Sequence, residues 1–368
     1  MTFRIKIFFY YIFILLAFLS HSALLATSIP GATSTNFLKE VHPNSQPQDS
    51  QKTELHLGGH NDYCPLLYEK YFGKQLSYEN WKKLPKGTKQ HPLKGKKAYV
   101  VSLTTWPPRT QKGTPGIWLT IESLMRQATK PDRIILWLAL EDYPNGLADL
   151  PQTLLDLQRR GLEIKFIKEN IKAAKKLLPA LANNIKANII TADDDIVYKP
   201  YWLQKIKRRS EKNPGAIVAI TCRTFKVKHG VMYPYLKSTG HDFRKKKRPL
   251  TAMAIGFGGV LYPYDVSGHT LNGLHPSVLN VDLIQRHALD NDDPFFYLGK
   301  LRAKTPLVTV GLSRDDAIIF LSLPEPLFAL NGEGGRNDKI MRRILNDFPA
   351  IAQKLGCDLS KPQCVVPN

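Results

Sequence analysis

The chain has 368 residues, 43% hydrophobic, 23% charged and 10% aromatic, enough apolar material for one large core or two moderate ones and an ordinary globular balance. Its 52 Lys and Arg against 31 Asp and Glu leave a formal charge of +21, which favours anionic partners such as nucleic acid, an acidic membrane surface, or phosphorylated and acidic sugars. No paired Cys/His spacing or aromatic ribonucleoprotein motif accompanies the charge, which argues against nucleic acid, and none of the four cysteines forms the C-x-x-C pair of a zinc site.

Arg4 and Lys6 precede an uncharged apolar run, Ile7 to Leu19, the pattern of a charged n-region and an h-region. Either the small residues of Ser22 to Ala26 supply a cleavage site and the product is secreted, or the stretch stays as an anchor of about 20 residues. The basic end would then face the cytosol and the rest of the chain the far side. Residues 1–26 are therefore read as a signal anchor or signal peptide, and membrane association is expected. Thr27 to Leu55 is rich in Ser, Thr, Pro, Gln and Asn and reads as an exposed stalk. It leads through an aromatic stretch to a basic loop ending at Lys96. Residues 27–96 form the stalk and N-terminal extension.

From Lys97 strands and helices alternate. Ala98 to Thr104 reads as a strand, Ile117 to Gln127 as a helix, Arg133 to Leu140 as a strand. Leu150 to Arg160 is helical and closed by Gly161, Leu162 to Ile167 is a strand, and Lys172 to Asn183 is a basic helix or helical turn, interrupted at Pro179. A fourth strand runs into Asp193, followed by a helix over Trp202 to Arg209 and a strand over Ala216 to Thr221. This rhythm predicts an α/β fold with a mainly parallel sheet and helices on both faces. Later come a Gly-rich turn into a strand, Ala254 to Tyr262, and Ser313-Arg314-Asp315-Asp316. That last run is read as a capped helix start with both carboxylates in its first turn. Asn331 to Lys339 is a Gly-rich loop before a closing helix. Near the C-terminus, Cys357 and Cys364 bracket a short Pro-containing loop and are placed to pair in an oxidising compartment.

Asn188 to Tyr198 carries the chemistry. An apolar, β-branched run ends in Asp193, Asp194 and Asp195 and resumes as an apolar segment. Three like charges between two core segments are costly unless a cation neutralises them. Mg²⁺ or Mn²⁺ suits carboxylate oxygens and shares its remaining positions with water and phosphates. The alternative is a solvated acidic turn. In a parallel sheet the ends of the first, second and fourth strands share one edge, where such folds bind ligands, so Thr104, Thr105 and Arg109 are expected beside the carboxylates. Lys172 to Lys176 either faces the same cleft or is a solvated face.

A strand followed by Thr-Thr-Trp-Pro-Pro-Arg, a basic helix, a strand ending in Asp-Asp-Asp and a later Arg-Asp-Asp together resemble the GT-A glycosyltransferases, closest to family-2-like bacterial sugar transferases. The resemblance covers residues 97–348 and leaves 349–368 as a C-terminal tail. It implies a nucleotide-sugar donor, Mn²⁺ or Mg²⁺ as cofactor, and a glycan or glycolipid acceptor. By position, Asp193 and Asp194 would bind the donor, with Asp193 near the ribose, and Asp193 and Asp195 would hold the metal. Thr104 and Arg109 would line the nucleotide pocket, and Lys175 or Lys176 would neutralise phosphate. Asp315 and Asp316 would supply the catalytic base of an inverting transfer, although Arg314 stands where many relatives have Ala. Trp106, Gly258 and Gly259 are the acceptor-side candidates.

Two other readings fit the same residues. One is a metal-dependent sugar nucleotidyltransferase, the other a non-catalytic envelope protein whose cleft binds anionic glycans.

Overall fold

The computed structural model describes residues 36–42, 98–110, 116–238, 249–265, 267–310, 318–320, 331 and 335–361. The chain divides into two units, Met1–Ser34 and Thr35–Asn368, and every described residue belongs to the second. The apolar N-terminal run, Asp315, Asp316 and Cys364 lie outside the described residues. Among those described, no helix is long and apolar enough to cross a membrane.

A seven-stranded sheet organises the fold. Strands β1 (Tyr99–Thr104), β2 (Arg133–Ala139), β3 (Leu162–Ile167) and β4 (Asn188–Ala192) run parallel, with β1 between β2 and β4. The short β5 (Ile196–Tyr198) follows the acidic turn. Beyond β4 lie β9 (Ala252–Tyr262), then β6 (Ile217–Thr224), then β10 (Leu307–Thr309). β9 is antiparallel to both β4 and β6. The sheet is thus mixed and mainly parallel. β7 (Val227–Lys228) and β8 (Val231–Met232) pair as a small antiparallel ribbon.

β1, β2 and β4 are mostly apolar and buried on both faces, as strands covered by helices on each side must be, whereas edge strand β3 carries Glu163 and Lys165, paired with Arg133 and Glu40. Tyr99, Val101 and Leu103 enter one core, with Trp118, Ile121 and Trp202. Ala98 and Val100 enter the other, with Leu177, Leu181 and Phe295. The first core is roofed by α2 (Gly116–Met125), which follows the single-turn α1 (Pro107–Thr110), and by α3 (Gln152–Arg159) and α5 (Trp202–Glu211). The second receives α4 (Leu178–Ala182), α6 (Val281–His287) and α7 (Asp292–Ala303). A third cluster joins α7 to α8 (Arg336–Asp347) and α9 (Pro349–Lys354).

Three local expectations change. The basic helix is a 3-10 turn over Lys172–Lys176 and a separate α4, broken at Leu177, because Pro179 lacks the N–H that a continuous helix needs. The helix expected after Ser313 is not present at Ile318–Phe320, which is strand β11, antiparallel to β5. Two adjacent isoleucines and a phenylalanine suit a strand better than a helix. Within the stretch read as stalk, Asn36–Leu38 form a 3-10 turn with Leu38 fully buried, and Val41 bridges Phe166 on edge strand β3.

Gly259 shows how tightly β9 is fitted. Its φ is +110°, and a Cβ there would lie 2.7 Å from Trp202 Cζ2 and 3.2 Å from the Thr191 carbonyl oxygen. Gly259→Ala is expected to destabilise the domain by about 2–3 kcal/mol, from positive φ and overpacking together. Urea denaturation checks this, and an unchanged midpoint would contradict the packing.

Candidate active site

The turn Asp193 to Asp195 sits between two buried strands in mid-sheet, at the edge where β1 and β2 also end. Each carboxylate meets a different environment. Asp194 is the best fastened: Thr105 Oγ1 donates to its Oδ2 at 2.7 Å, and Arg109 Nη1 pairs with its Oδ1. Thr120 Oγ1 also donates to the Asp194 carbonyl oxygen at 3.1 Å. Asp193 Oδ2 accepts from the Gly258 N–H at 3.2 Å, and Oδ1 lies 3.4 Å from Lys176 Nζ. The Asp193 N–H donates to the Tyr198 hydroxyl at 2.8 Å. Asp195 is held more loosely, with Arg109 Nη1 3.3 Å from Oδ2 and a backbone hydrogen bond from its own residue.

Burial is the first cause that raises both Asp193 and Asp195 above the ordinary carboxylate range, and their acidic neighbours add to it. Lys176 and the Gly258 N–H oppose the rise at Asp193; Arg109 opposes it at Asp195, which is pushed up to about 7. Burial opposes the charge on Arg109, but Asp194 and Asp195 outweigh it and hold the guanidinium protonated.

Lys176 links this turn to a second acidic pair. Its Nζ lies 3.2 Å from Asp292 Oδ2, at the start of α7, while also facing Asp193. Burial disfavours its charge, yet Asp292, Asp193 and Asp293 together raise it well above the usual lysine value. Asp293 Oδ1 accepts from the Gly256 N–H at 2.8 Å. Burial and then Asp292 raise Asp293 to about 7, against the pull of Lys176 and that N–H. Taken as a whole, the residue is partly rather than fully buried. Asn291 caps the helix, its Oδ1 accepting from the Asp293 N–H at 3.3 Å. A Cβ on Gly256 would fall 2.8 Å from Lys176 Nζ and 2.9 Å from Asp293 Oδ1, so a larger residue there would push the two charged groups aside. Lys176→Met is expected to lower stability at pH 8 by about 3–5 kcal/mol, because buried carboxylates lose their cation. A urea midpoint equal to wild type would show that Lys176 does not hold the two pairs together.

Of the residues singled out in the sequence, Arg109, Lys176, Asp193, Asp194, Asp195 and Gly258 come together here. Thr104 stands at the end of β1, where its Oγ1 donates to the Trp137 carbonyl oxygen at 2.8 Å. Trp106, 38% exposed, lies in the following turn. Gly259 packs beneath Trp202. Lys175 points to another group, with Nζ 2.5 Å from Asn170 Oδ1 and 3.3 Å from Asp142 Oδ2. Burial lowers its basicity, and Asp142 partly restores it. Asp292 and Asp293 are new to the site. Their signal was legible: Asn291-Asp292-Asp293-Pro294 is a cap, two first-turn carboxylates and a proline, a stronger helix start than Ser313-Arg314-Asp315-Asp316.

Among the described residues, no three His, Cys, Asp or Glu side chains converge as a metal cage. A cation of the Mg²⁺ type does not need one, since it takes one or two carboxylates and completes its shell with water and phosphate. Asp195, the least engaged carboxylate of the triplet, fits that role, with Asp193 beside it. The other two partners of such a cleft are already placed: Arg109 and Lys176 are buried cations suited to phosphate oxygens.

No protein-family model matches the chain, and no curated protein matches it. Among solved structures, residues 1–349 of S. aureus TarS in complex with UDP-GlcNAc are 12% identical, with 70% of this chain and 74% of that chain covered and a TM-score of 0.39. Glucosyl-3-phosphoglycerate synthase from Mycobacterium tuberculosis, in complex with Mn²⁺, UDP and phosphoglyceric acid, is 14% identical over 37% of this chain, with a TM-score of 0.26. That match spans half of the synthase chain. A 4-diphosphocytidyl-2C-methyl-D-erythritol synthase is 12% identical, with 69% of this chain and 100% of that chain covered and a TM-score of 0.33.

Proposed function

We propose that the chain is a metal-dependent glycosyltransferase of the GT-A kind, moving a sugar from a nucleotide-sugar donor to a glycan or glycolipid acceptor with inversion. The observation that carries this reading is the pair of acidic groups on either side of Lys176: the triplet at the end of β4 and Asp292–Asp293 at the start of α7. Displacing a nucleoside diphosphate builds negative charge on the leaving phosphate. Asp195, with Asp193, would hold the Mn²⁺ or Mg²⁺, which supplies charge neutralisation at the diphosphate when bound. Arg109 and Lys176 bring fixed positive charge to the same oxygens. Asp142, Asn170 and Lys175 form a polar group beyond β2 and β3 suited to the nucleoside.

An inverting transfer also needs a base at the acceptor hydroxyl. Asp293 takes that role: it is only partly buried as a residue, lies across Lys176 from the triplet, and has its basicity raised by burial and Asp292. Asp315 and Asp316 remain the competing candidates.

Incubation of the purified chain with Mn²⁺ and a panel of nucleotide sugars is expected to release nucleoside diphosphate. Release of pyrophosphate from a nucleoside triphosphate and a sugar phosphate would identify a nucleotidyltransferase instead. Glycan binding without turnover would identify a binding protein. A membrane location through the N-terminal segment is part of the proposal, and protease accessibility in intact membranes tests it.

A further inference from the structure

Beside Asp293 lies a second polar group that neither the donor cleft nor the base accounts for. Its centre is Asp338, in the first turn of α8, which is 4% exposed. Asp338 Oδ1 accepts from the Tyr235 N–H at 2.7 Å, whereas Oδ2 is buried and, among the described residues, has no hydrogen-bond partner. An unpaired buried carboxylate oxygen is costly, and folded proteins retain few of them without a use. Burial raises Asp338 above the ordinary range despite the Tyr235 N–H, Arg342 and Arg223.

The surroundings tie this carboxylate to the reacting end of the cleft. Arg223, at the end of β6, donates from Nη1 to the Tyr235 carbonyl oxygen at 2.7 Å and stacks on the Tyr235 ring at 4.2 Å. Burial first, then Asp293 and Asp338, push the Tyr235 phenol up to about 12 against the pull of Arg223. Asn337, next to Asp338, accepts at 2.5 Å from Asn291, the residue that caps the helix bearing Asp293. A carboxylate acceptor, a guanidinium donor and an aromatic ring held together are the side-chain set that reads neighbouring hydroxyls of a sugar ring.

We propose that Asp338, Arg223 and Tyr235 seat the acceptor next to Asp293, and that the acceptor unit is a pyranose with free vicinal hydroxyls, one donating to Asp338 Oδ2 and its neighbour accepting from Arg223. This rests on the transferase reading above. Asp338 is a binding and positioning residue here; the proton acceptor stays Asp293.

The test uses the full chain with Mn²⁺ and the nucleotide sugar that it turns over, with methyl pyranosides and their monodeoxy counterparts as acceptor probes. Asp338→Asn keeps the oxygen that accepts from Tyr235 and replaces Oδ2 by a donor. The KM for the preferred pyranoside is expected to rise at least about tenfold, one hydrogen bond being mispaired. Donor hydrolysis without acceptor should stay at the wild-type rate, and the variant should lose its preference for the parent over the deoxy probe. Arg223→Gln, at a less buried position, should raise KM in the same way and serves if Asp338→Asn does not fold. An unchanged KM in the folded variants overturns the seat, as does a parallel fall of hydrolysis and transfer, which marks a structural role. Transfer to no pyranoside, with donor hydrolysis intact, overturns the acceptor class while leaving the transferase reading standing. If wild type releases no nucleoside diphosphate from any nucleotide sugar, the transferase reading fails and the seat with it.

Discussion

Asp293→Asn is expected to lower turnover by about 10²–10⁴-fold, the usual contribution of a positioned general base, while nucleotide-sugar affinity stays near wild type. The expectation rests on where Asp293 sits. It starts α7, its Oδ1 is held by the Gly256 N–H at 2.8 Å, and Lys176 separates it from the triplet. Raised to about 7 by burial and Asp292, it loses its proton near neutral pH and can take one from a hydroxyl. Wild-type turnover should therefore rise with pH through about 7, and the residual rate of the variant should lack that step.

Stability gives an independent check on the same group. In the unfolded chain an Asp loses its proton near 3.9; in the folded protein Asp293 holds it to about 7. Unfolding in that window releases a proton, so this residue's contribution becomes less favourable as pH rises and is worst above the folded value. Asn carries no such penalty. Asp293→Asn should melt about 2–4 °C above wild type at pH 8, with the gain gone near pH 4. Lost turnover without that pH-dependent gain would move the base elsewhere, with Asp315 and Asp316 next in line.

The second large effect is expected at Asp195. Asp195→Ala should abolish metal-dependent binding of the donor's nucleoside diphosphate, measured by titration calorimetry with and without Mn²⁺. Asp194→Asn is the informative comparison. Asp194 is committed to Thr105 and Arg109, so its replacement should loosen the turn and lower the melting temperature, leaving some metal dependence. Metal dependence that survives in Asp195→Ala but is lost in Asp194→Asn would exchange their roles.

Much of the first half of the fold was legible in the sequence. β1, β2 and β4 are mostly apolar on both faces, β3 alternates apolar residues with Glu163 and Lys165, and all are bounded by Pro, Gly or Asp, so their extents follow from the sequence pattern. The acidic turn was legible for the same reason, since its charges interrupt a core segment. The second half was not, because its geometry depends on pairing rather than pattern. Nothing local states that β9 inserts antiparallel between β4 and β6, yet that insertion brings Gly256 and Gly258 to Asp293 and Asp193. Ile318 to Phe320 favours a strand by residue type, but the run is too short to be read as one until β5 is there to pair with it. Adjacent lysines were assigned one role, whereas the 3-10 turn sends Lys175 to Asp142 and Lys176 to Asp193 and Asp292. Asp292 and Asp293 were visible as a capped helix start, but only the tertiary fold sets them across from the triplet.

The central claim is that the end of β4 receives a cation and a diphosphate, with Asp293 facing them across Lys176. Crystals grown with Mn²⁺ and the nucleoside diphosphate released in the donor screen test it directly, through anomalous scattering at the manganese edge. The account predicts one manganese peak on Asp195, with the diphosphate between it and the Lys176 and Arg109 side chains. A diphosphate bound there without manganese, or manganese held by other residues, would contradict it.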